Sequence, residues 1–241
     1  MDSNKIQMNL TVAFTSHNRT NLLYEAVEPF LNDDRIPEIV ISDDQSNENI
    51  IAEIWEKYSL TAKVRVYKND FNLDCYHNKA KAVERSTNEW VLLLDSDNIF
   101  STQFIDRIEN LWQAGLNDRT AYAPDFARPH FDFRHLSGQA LRKENISSLI
   151  DNNSTQTMLN AMNYLVNRSE YLRIFDRHVT PVTSDSIYQN CRWLDMGNTI
   201  YVVPDFQYEH RVHDGSHYRQ KHRETPRGFH EDIIQRLRQM R

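Results

Sequence analysis

Hydrophobic residues along the first half of the chain switch between two periods. Leu10 to Thr15 reads as a buried strand, after which Leu22, Leu23, Ala26, Val27, Phe30 and Leu31 recur at the three-and-four spacing of one helix face. Pro37 precedes a second strand, Glu38 to Ser42. Ile50, Ile51, Ile54, Trp55 and Tyr58 make another helical stripe, and Lys63 to Tyr67 a third strand. A weaker helix containing Ala80 to Val83 leads into the apolar run Trp90 to Leu94. Phe104, Ile105, Ile108, Leu111 and Trp112 then form a helix that Gly115 caps. Strand and helix alternating at this spacing predict right-handed crossovers and an α/β fold, its mostly parallel sheet covered by helices on both faces.

Beyond Gly115 the pattern loosens. The stretch from Ala127 to Asn160 is polar and weakly periodic, which predicts a long loop or lid. Asn163 to Val166 reads as a strand, Ser169 to Phe175 and Ser184 to Leu194 as helices, and Thr199 to Val203 as a strand ended by Pro204. Phe229, Ile233, Ile234, Leu237 and Met240 are spaced for a C-terminal amphipathic helix with arginines opposite. No repeat or linker divides the chain. The expectation is one domain over residues 1–241, regularly alternating to residue 115 and less regular after it.

Composition fits that picture. The 241 residues exceed the common domain size of roughly 150 and, at 39% hydrophobic and 26% charged, match globular usage. No apolar stretch approaches the roughly 18 residues of a membrane span, and residues 1–9 lack the pattern of a signal peptide. Cys75 and Cys191 lack metal-ligand spacing and read as reduced thiols of a cytoplasmic protein. The net charge of −6 argues against a nucleic-acid partner. Residues 207–241 nevertheless hold eight Lys/Arg against five Asp/Glu, and five of the ten histidines.

Polar residues collect where the strands end: Thr15 to Arg19 after the first, Asp43 to Ser46 after the second, Asp95 to Asn98 after the fourth. Ligands of open α/β sheets bind at that rim. The strongest signal is Val91-Leu92-Leu93-Leu94-Asp95-Ser96-Asp97. An apolar strand ending in two carboxylates one residue apart crowds two anions unless a cation neutralises them. Oxygen ligands select magnesium or manganese, which keep positions open for substrate phosphates. A calcium-binding EF-hand loop is excluded, because its sixth position holds Phe100 in place of glycine.

In order and spacing, four segments resemble the family 2 glycosyltransferases of the GT-A fold: Thr11 to Arg19, Glu38 to Ser46, Asn72 to Asn78, and Glu89 to Asp97 with its DxD strand end. The resemblance implies a nucleotide-sugar donor bound across the rim, its base near Thr15, Arg19 and Asp43, with Asp44 beside them as a donor contact or turn residue. It implies further donor contacts from His77, Asn78, Asp95 and Ser96, and a Mn or Mg ion on the donor diphosphate, held mainly by Asp97 with Asp95 assisting. An Asp acceptor can pair with a uracil or guanine N–H, so UDP- and GDP-sugars are both expected. The chain departs from the family at Gln45 and Asp74, where glycine is frequent, and at His77, where arginine is.

In the second half, Pro181 to Ser186 followed by Gln189-Asn190-Cys191-Arg192-Trp193 is similar to the family's Glu-Asp motif at a helix start, with Ser184 replacing Glu. This implies Asp185 as the base of an inverting transfer. Tyr208 to Ser216 resembles the family's late segment that folds over the diphosphate. It implies His213 as a metal ligand, with His210 as runner-up, and Arg211 or Arg219 as a phosphate contact. The aromatics Trp193, Tyr201, Phe206, Tyr208 and Tyr218 are read as core packing before a sugar-stacking wall. The resemblance implies a nucleotide-binding half to residue 115 and an acceptor-side half after it, where Asp125 to Phe133 and Met158 to Met162 are candidates to line the acceptor side.

The expected function is metal-dependent inverting glycosyl transfer to an acceptor hydroxyl in bacterial surface-glycan synthesis. For a lipid-linked acceptor, the helix near Ile233 to Arg241 would contact the inner membrane face. The rivals are a nucleotidyltransferase, a phosphatase and a non-catalytic nucleotide-sugar-binding protein. Residues 10–30 contain no glycine for a nucleotidyltransferase phosphate loop. The DxD follows the fourth strand, not the first as in haloacid-dehalogenase-like phosphatases. Sequence leaves the binding protein open.

Overall fold

The computed structural model describes residues 7–161, 163–213 and 228–241. Its first half follows the alternation of periods: β1 Leu10–Ser16, α1 Asn21–Leu31, β2 Glu38–Asp43, α2 Glu48–Tyr58, β3 Val64–Lys68, α3 Asp74–Arg85, β4 Trp90–Asp95 and α4 Thr102–Ala114. β2 and β4 flank β1 in parallel, β3 lies outside β2, and the resulting order is β3-β2-β1-β4. Leu10, Val12, Ala13 and Phe14 of β1 and Val91 to Leu94 of β4 are all 0% exposed. Central parallel strands are covered on both faces, so an uninterrupted apolar run serves them better than alternation. Leu23, Ala26, Val27 and Phe30 form the buried stripe of α1, and α4 ends at Gly115, whose φ of +88° suits a residue without Cβ.

The second half corrects two expectations. Ala127 to Asn160 is not a lid. It contains the end of β5 Thr120–Arg128, then β6 Phe131–Asp132, a 3-10 turn Arg134–Leu136, β7 Ala140–Leu141, α5 Lys143–Leu149 and α6 Asn153–Leu159. Elements this short complete too few periods to register in sequence. The chain continues through β8 Tyr164–Asn167, α7 Arg168–Ile174, a 3-10 turn Val182–Ser184 and α8 Asp185–Asp195. The following strand, β9 Thr199–Glu209, runs through Pro204 instead of stopping there. Its pairing with β5 shifts register between Pro124 and Phe126, and Asp205 takes φ +56° beside Pro204. A bulge is where a strand tolerates a residue that cannot donate to the ladder.

β8 enters antiparallel between β4 and β5, β9 runs parallel to β5, and β7 closes the far edge antiparallel. One continuous sheet thus crosses both halves, flanked by helices. The C-terminal helix α9, Phe229–Gln239, packs on α5 and α8 and buries Ile233, Ile234 and Leu237. Cys75 and Cys191 are free thiols.

Candidate active site

The strand ends of β1 and β4 open into a cleft of about 1320 Å³, which α3, α6, α8 and α9 also line. The end of β1 turns through Asn18, whose φ of +50° brings its backbone N–H onto Ser46 Oγ at 2.7 Å. That turn points Arg19 across the rim, where Nη1 meets Asp97 Oδ2 at 2.9 Å. His213 arrives from the segment after β9 and places Nε2 3.1 Å from the same oxygen. Arg211 donates from Nε to the Asp97 carbonyl, from Nη2 to the Leu22 carbonyl at 3.2 Å, and pairs with Glu25. Asp97 is therefore the meeting point of three distant segments.

Asp95 is held differently. Its N–H donates to Asn163 Oδ1 at 3.0 Å, and Oδ1 lies 3.5 Å from Lys79 Nζ. Burial, then the carboxylates of Asp97 and Asp185, raise its pKa against the opposing pull of Lys79. Asp185 opens α8 and accepts from Lys79 Nζ at 2.8 Å, with Ser186 Oγ also within 3.1 Å of the amine. Burial alone would discharge Lys79, but Asp185 and then Asp95 more than reverse this and hold its pKa well above the ordinary lysine value. A single buried ammonium thus joins the DxD strand to the start of α8. Sequence reasoning missed Lys79, since one lysine in a weakly periodic helix carries no local signal.

Thr15, Arg19, Asp44, Asn78, Asp95, Asp97, Asp185, Arg211 and His213 are all brought to the cleft wall. Three expected donor residues are not. Asp43 is fully buried beneath the rim, where its carboxylate accepts from the Ser46 N–H at 2.8 Å and from the Ser46 hydroxyl, closing the turn after β2. Asp44 is the carboxylate at the cleft, with Oδ1 accepting from the Leu73 N–H at 2.7 Å and Asn69 Nδ2 at 2.9 Å. Ser96 is fully buried, because the residue between two rim carboxylates points back into the protein. His77 sits on the face of α3 turned from the cleft, edge-on to Tyr76 and Phe175, while Asn78 and Lys79 take the inward face.

His210 also lines the cleft; its Nδ1 is buried without a hydrogen-bond partner among the described residues, and burial lowers its pKa. Tyr208 reaches the wall, whereas Trp193 and Phe206 belong to the core. Phe131 lines the cleft, and Met158 is buried. Met162, Ser216, Tyr218 and Arg219 lie outside the described residues. Glycine is frequent in the resembled family at the positions of Gln45 and Asp74, and here both residues adopt positive φ, +61° and +63°. The Gln45 side chain braces that backbone by donating to the Asp70 carbonyl at 3.1 Å and accepting from the Asn72 N–H at 2.9 Å.

A hard cation fits these side chains in one way. Among the described residues no three His, Cys, Asp or Glu side chains form a metal cluster. Asp97 and His213 converge at the cleft, with Asp95 two residues away, so an ion there would draw its other ligands from water and substrate phosphates. Magnesium and manganese commonly bind in that manner.

Several solved structures share this fold. S. aureus TarS 1–349 in complex with UDP-GlcNAc superposes with TM-score 0.65 at 15% identity, over 87% of this chain and 60% of that one. The mannosyltransferase PcManGT from Pyrobaculum calidifontis, in complex with GDP-Man and Mn2+, gives 0.62 at 14% identity, over 95% and 69%. GalNAc-T7 with UDP, GalNAc and Mn2+ gives 0.59 at 12% identity, over 86% and 44%. The chain thus spans about 60% of the TarS 1–349 chain. No curated protein matches the sequence significantly. The model of Glycosyl transferase family 2 matches residues 11–180, which include the DxD strand and most of the cleft's rim. With the family's segments in sequence order and its fold in the sheet, the chain belongs to glycosyl transferase family 2.

Proposed function

We propose that this protein transfers a glycosyl group from a nucleoside-diphosphate sugar to an acceptor hydroxyl, with inversion at the anomeric carbon. The observation that carries the reading is the joint placement of Asp97 and Asp185 in one cleft, Asp97 meeting Arg19 and His213 while Asp185 is held at the start of α8 by Lys79. TarS and PcManGT, similar in fold, were crystallised with UDP-GlcNAc and GDP-Man respectively, which supports a nucleotide-sugar donor here.

In this reading the base lies between Thr15 and Asp44, where a carboxylate and a threonine offer acceptors to a uracil or guanine edge. Arg19, Arg211 and His213 face the diphosphate. Asp97 and His213 would hold a Mn or Mg ion, with Asp95 nearby, and the ion would supply charge neutralisation to the departing nucleoside diphosphate. Asp185 accepts the proton of the attacking hydroxyl. Lys79 fixes its carboxylate and keeps the crowded anions in balance. Residues 1–115 supply most of the donor end and the remainder the acceptor side, although Arg211 and His213 cross back to the donor. Bacterial surface-glycan synthesis in the cytoplasm, with a glycan or lipid-linked acceptor, is the setting this chemistry suits.

The test is release of nucleoside diphosphate from a panel of UDP- and GDP-sugars with manganese. Asp185→Asn should lower turnover by at least about a hundredfold, the lower range for general-base loss, while donor affinity changes little. A fully active Asp185→Asn enzyme removes the assignment.

A further inference from the structure

The two walls of the cleft differ in kind. The donor end carries Arg19, Asp44, Asp97 and Arg211, whereas α6, the turn before α8 and the first turn of α9 contribute uncharged groups. Two of these belong together. His230 Nδ1 lies 3.1 Å from Ser184 Oγ, and Ser184 immediately precedes Asp185. The wall behind them is fixed: Asn160 donates from Nδ2 to the Thr183 carbonyl at 3.2 Å and accepts from the Ile187 N–H at 3.3 Å. His230 is carried by a helix whose Ile233, Ile234 and Leu237 are buried, so its position is anchored by the core. Burial also lowers its pKa, which keeps the ring neutral near pH 7.

We propose that Ser184 and His230 form the subsite that receives the reacting hydroxyl of the acceptor and presents it to Asp185. A hydroxyl is at once donor and acceptor, and a neutral imidazole paired with a serine offers one of each whichever tautomer it takes. As the acceptor oxygen bonds to the anomeric carbon, its proton passes to Asp185 and the sugar–phosphate bond breaks, its electron pair leaving with the nucleoside diphosphate. His230 takes up no proton and is a positioning residue. This rests on the transferase reading, but on residues beyond position 180, where the family match ends.

Two measurements test it, with methyl hexopyranosides as acceptor probes. In kinetics, His230→Ala should raise the acceptor KM about tenfold, as one lost hydrogen bond predicts, while the donor Kd measured by calorimetry stays within about twofold. His230→Gln, which keeps a neutral donor and acceptor, should recover part of the loss. An unmoved acceptor KM, or a donor Kd weakened by the same factor, overturns the subsite. In NMR, the His230 ring resonance of the wild-type protein, assigned by its absence in His230→Gln, should shift when a methyl hexopyranoside is added to the nucleoside-diphosphate complex. Donor binding with no such shift overturns the subsite alone. Failure of every UDP- and GDP-sugar to bind overturns the transferase reading beneath it.

Discussion

Lys79 is the residue on which the site's electrostatics turn. Its amine reaches both Asp185 and Asp95 with only 8% of its side chain exposed. Removing one member of a buried ion pair strands the others, at a cost of about 3–5 kcal/mol. Lys79→Met should therefore lower stability by that amount in urea unfolding, and a loss below about 1 kcal/mol would show that water or rearrangement replaces the amine. Gln45 offers a second test. Gln45→Ala keeps a Cβ at positive φ and loses both bracing hydrogen bonds, whereas Gln45→Gly relieves the backbone. The alanine variant should be the less stable of the two by about 1–2 kcal/mol, and equal midpoints would contradict the strain. Asp97 was legible in sequence because an apolar strand ended in a pair of carboxylates, Asp95 and Asp97, one residue apart. Lys79 and His230 were not, because their meaning lies in partners 106 and 46 residues away, Asp185 and Ser184.

The C-terminal helix shows how one element serves two ends. Its amphipathic spacing was plain in the sequence, but spacing does not say what the apolar face meets. The structure turns Ile233, Ile234 and Leu237 onto α5 and α8, so they cover the core. Of its arginines, Arg236 pairs with Asp195 and Arg238 with Asp151. Any contact of this helix with a membrane is thus left to polar side chains. Leu237→Ala should cost about 2–5 kcal/mol, as expected for a core leucine, and a loss under about 0.5 kcal/mol would indicate that α9 is only loosely docked. The parallel strands and their helices were readable because each spans several periods. β5 was missed because Pro124 and the bulge opposite Asp125 interrupt its pattern, and β6 and β7 because two residues contain no period at all.

Across the whole molecule, burial sets the sign of the response to acid. His210 and His230 both have pKa values lowered by burial, so the folded state holds them neutral while the unfolded chain binds protons from about pH 6.5 downward. Their contribution is complete above that pH and is lost as the pH falls through it. Asp43 and Asp44 act oppositely: burial raises their pKa values, so they add stability only as the pH descends toward the carboxylate range. The melting temperature should consequently fall between about pH 7.5 and about pH 5.5, and His230→Gln should flatten the decline. A flat wild-type profile by scanning calorimetry would contradict this balance. No described helix is long and apolar enough to cross a membrane, and the sheet continues through both halves of the chain.

The most direct test of the central claim, a donor diphosphate gripped at Asp97, is calorimetric titration of UDP- and GDP-sugars with and without manganese. The wild-type protein should bind at least one donor, more tightly with manganese, and Asp97→Ala should abolish the manganese-dependent gain. Indifference of the wild-type protein to every donor, or equal binding by Asp97→Ala, would contradict it.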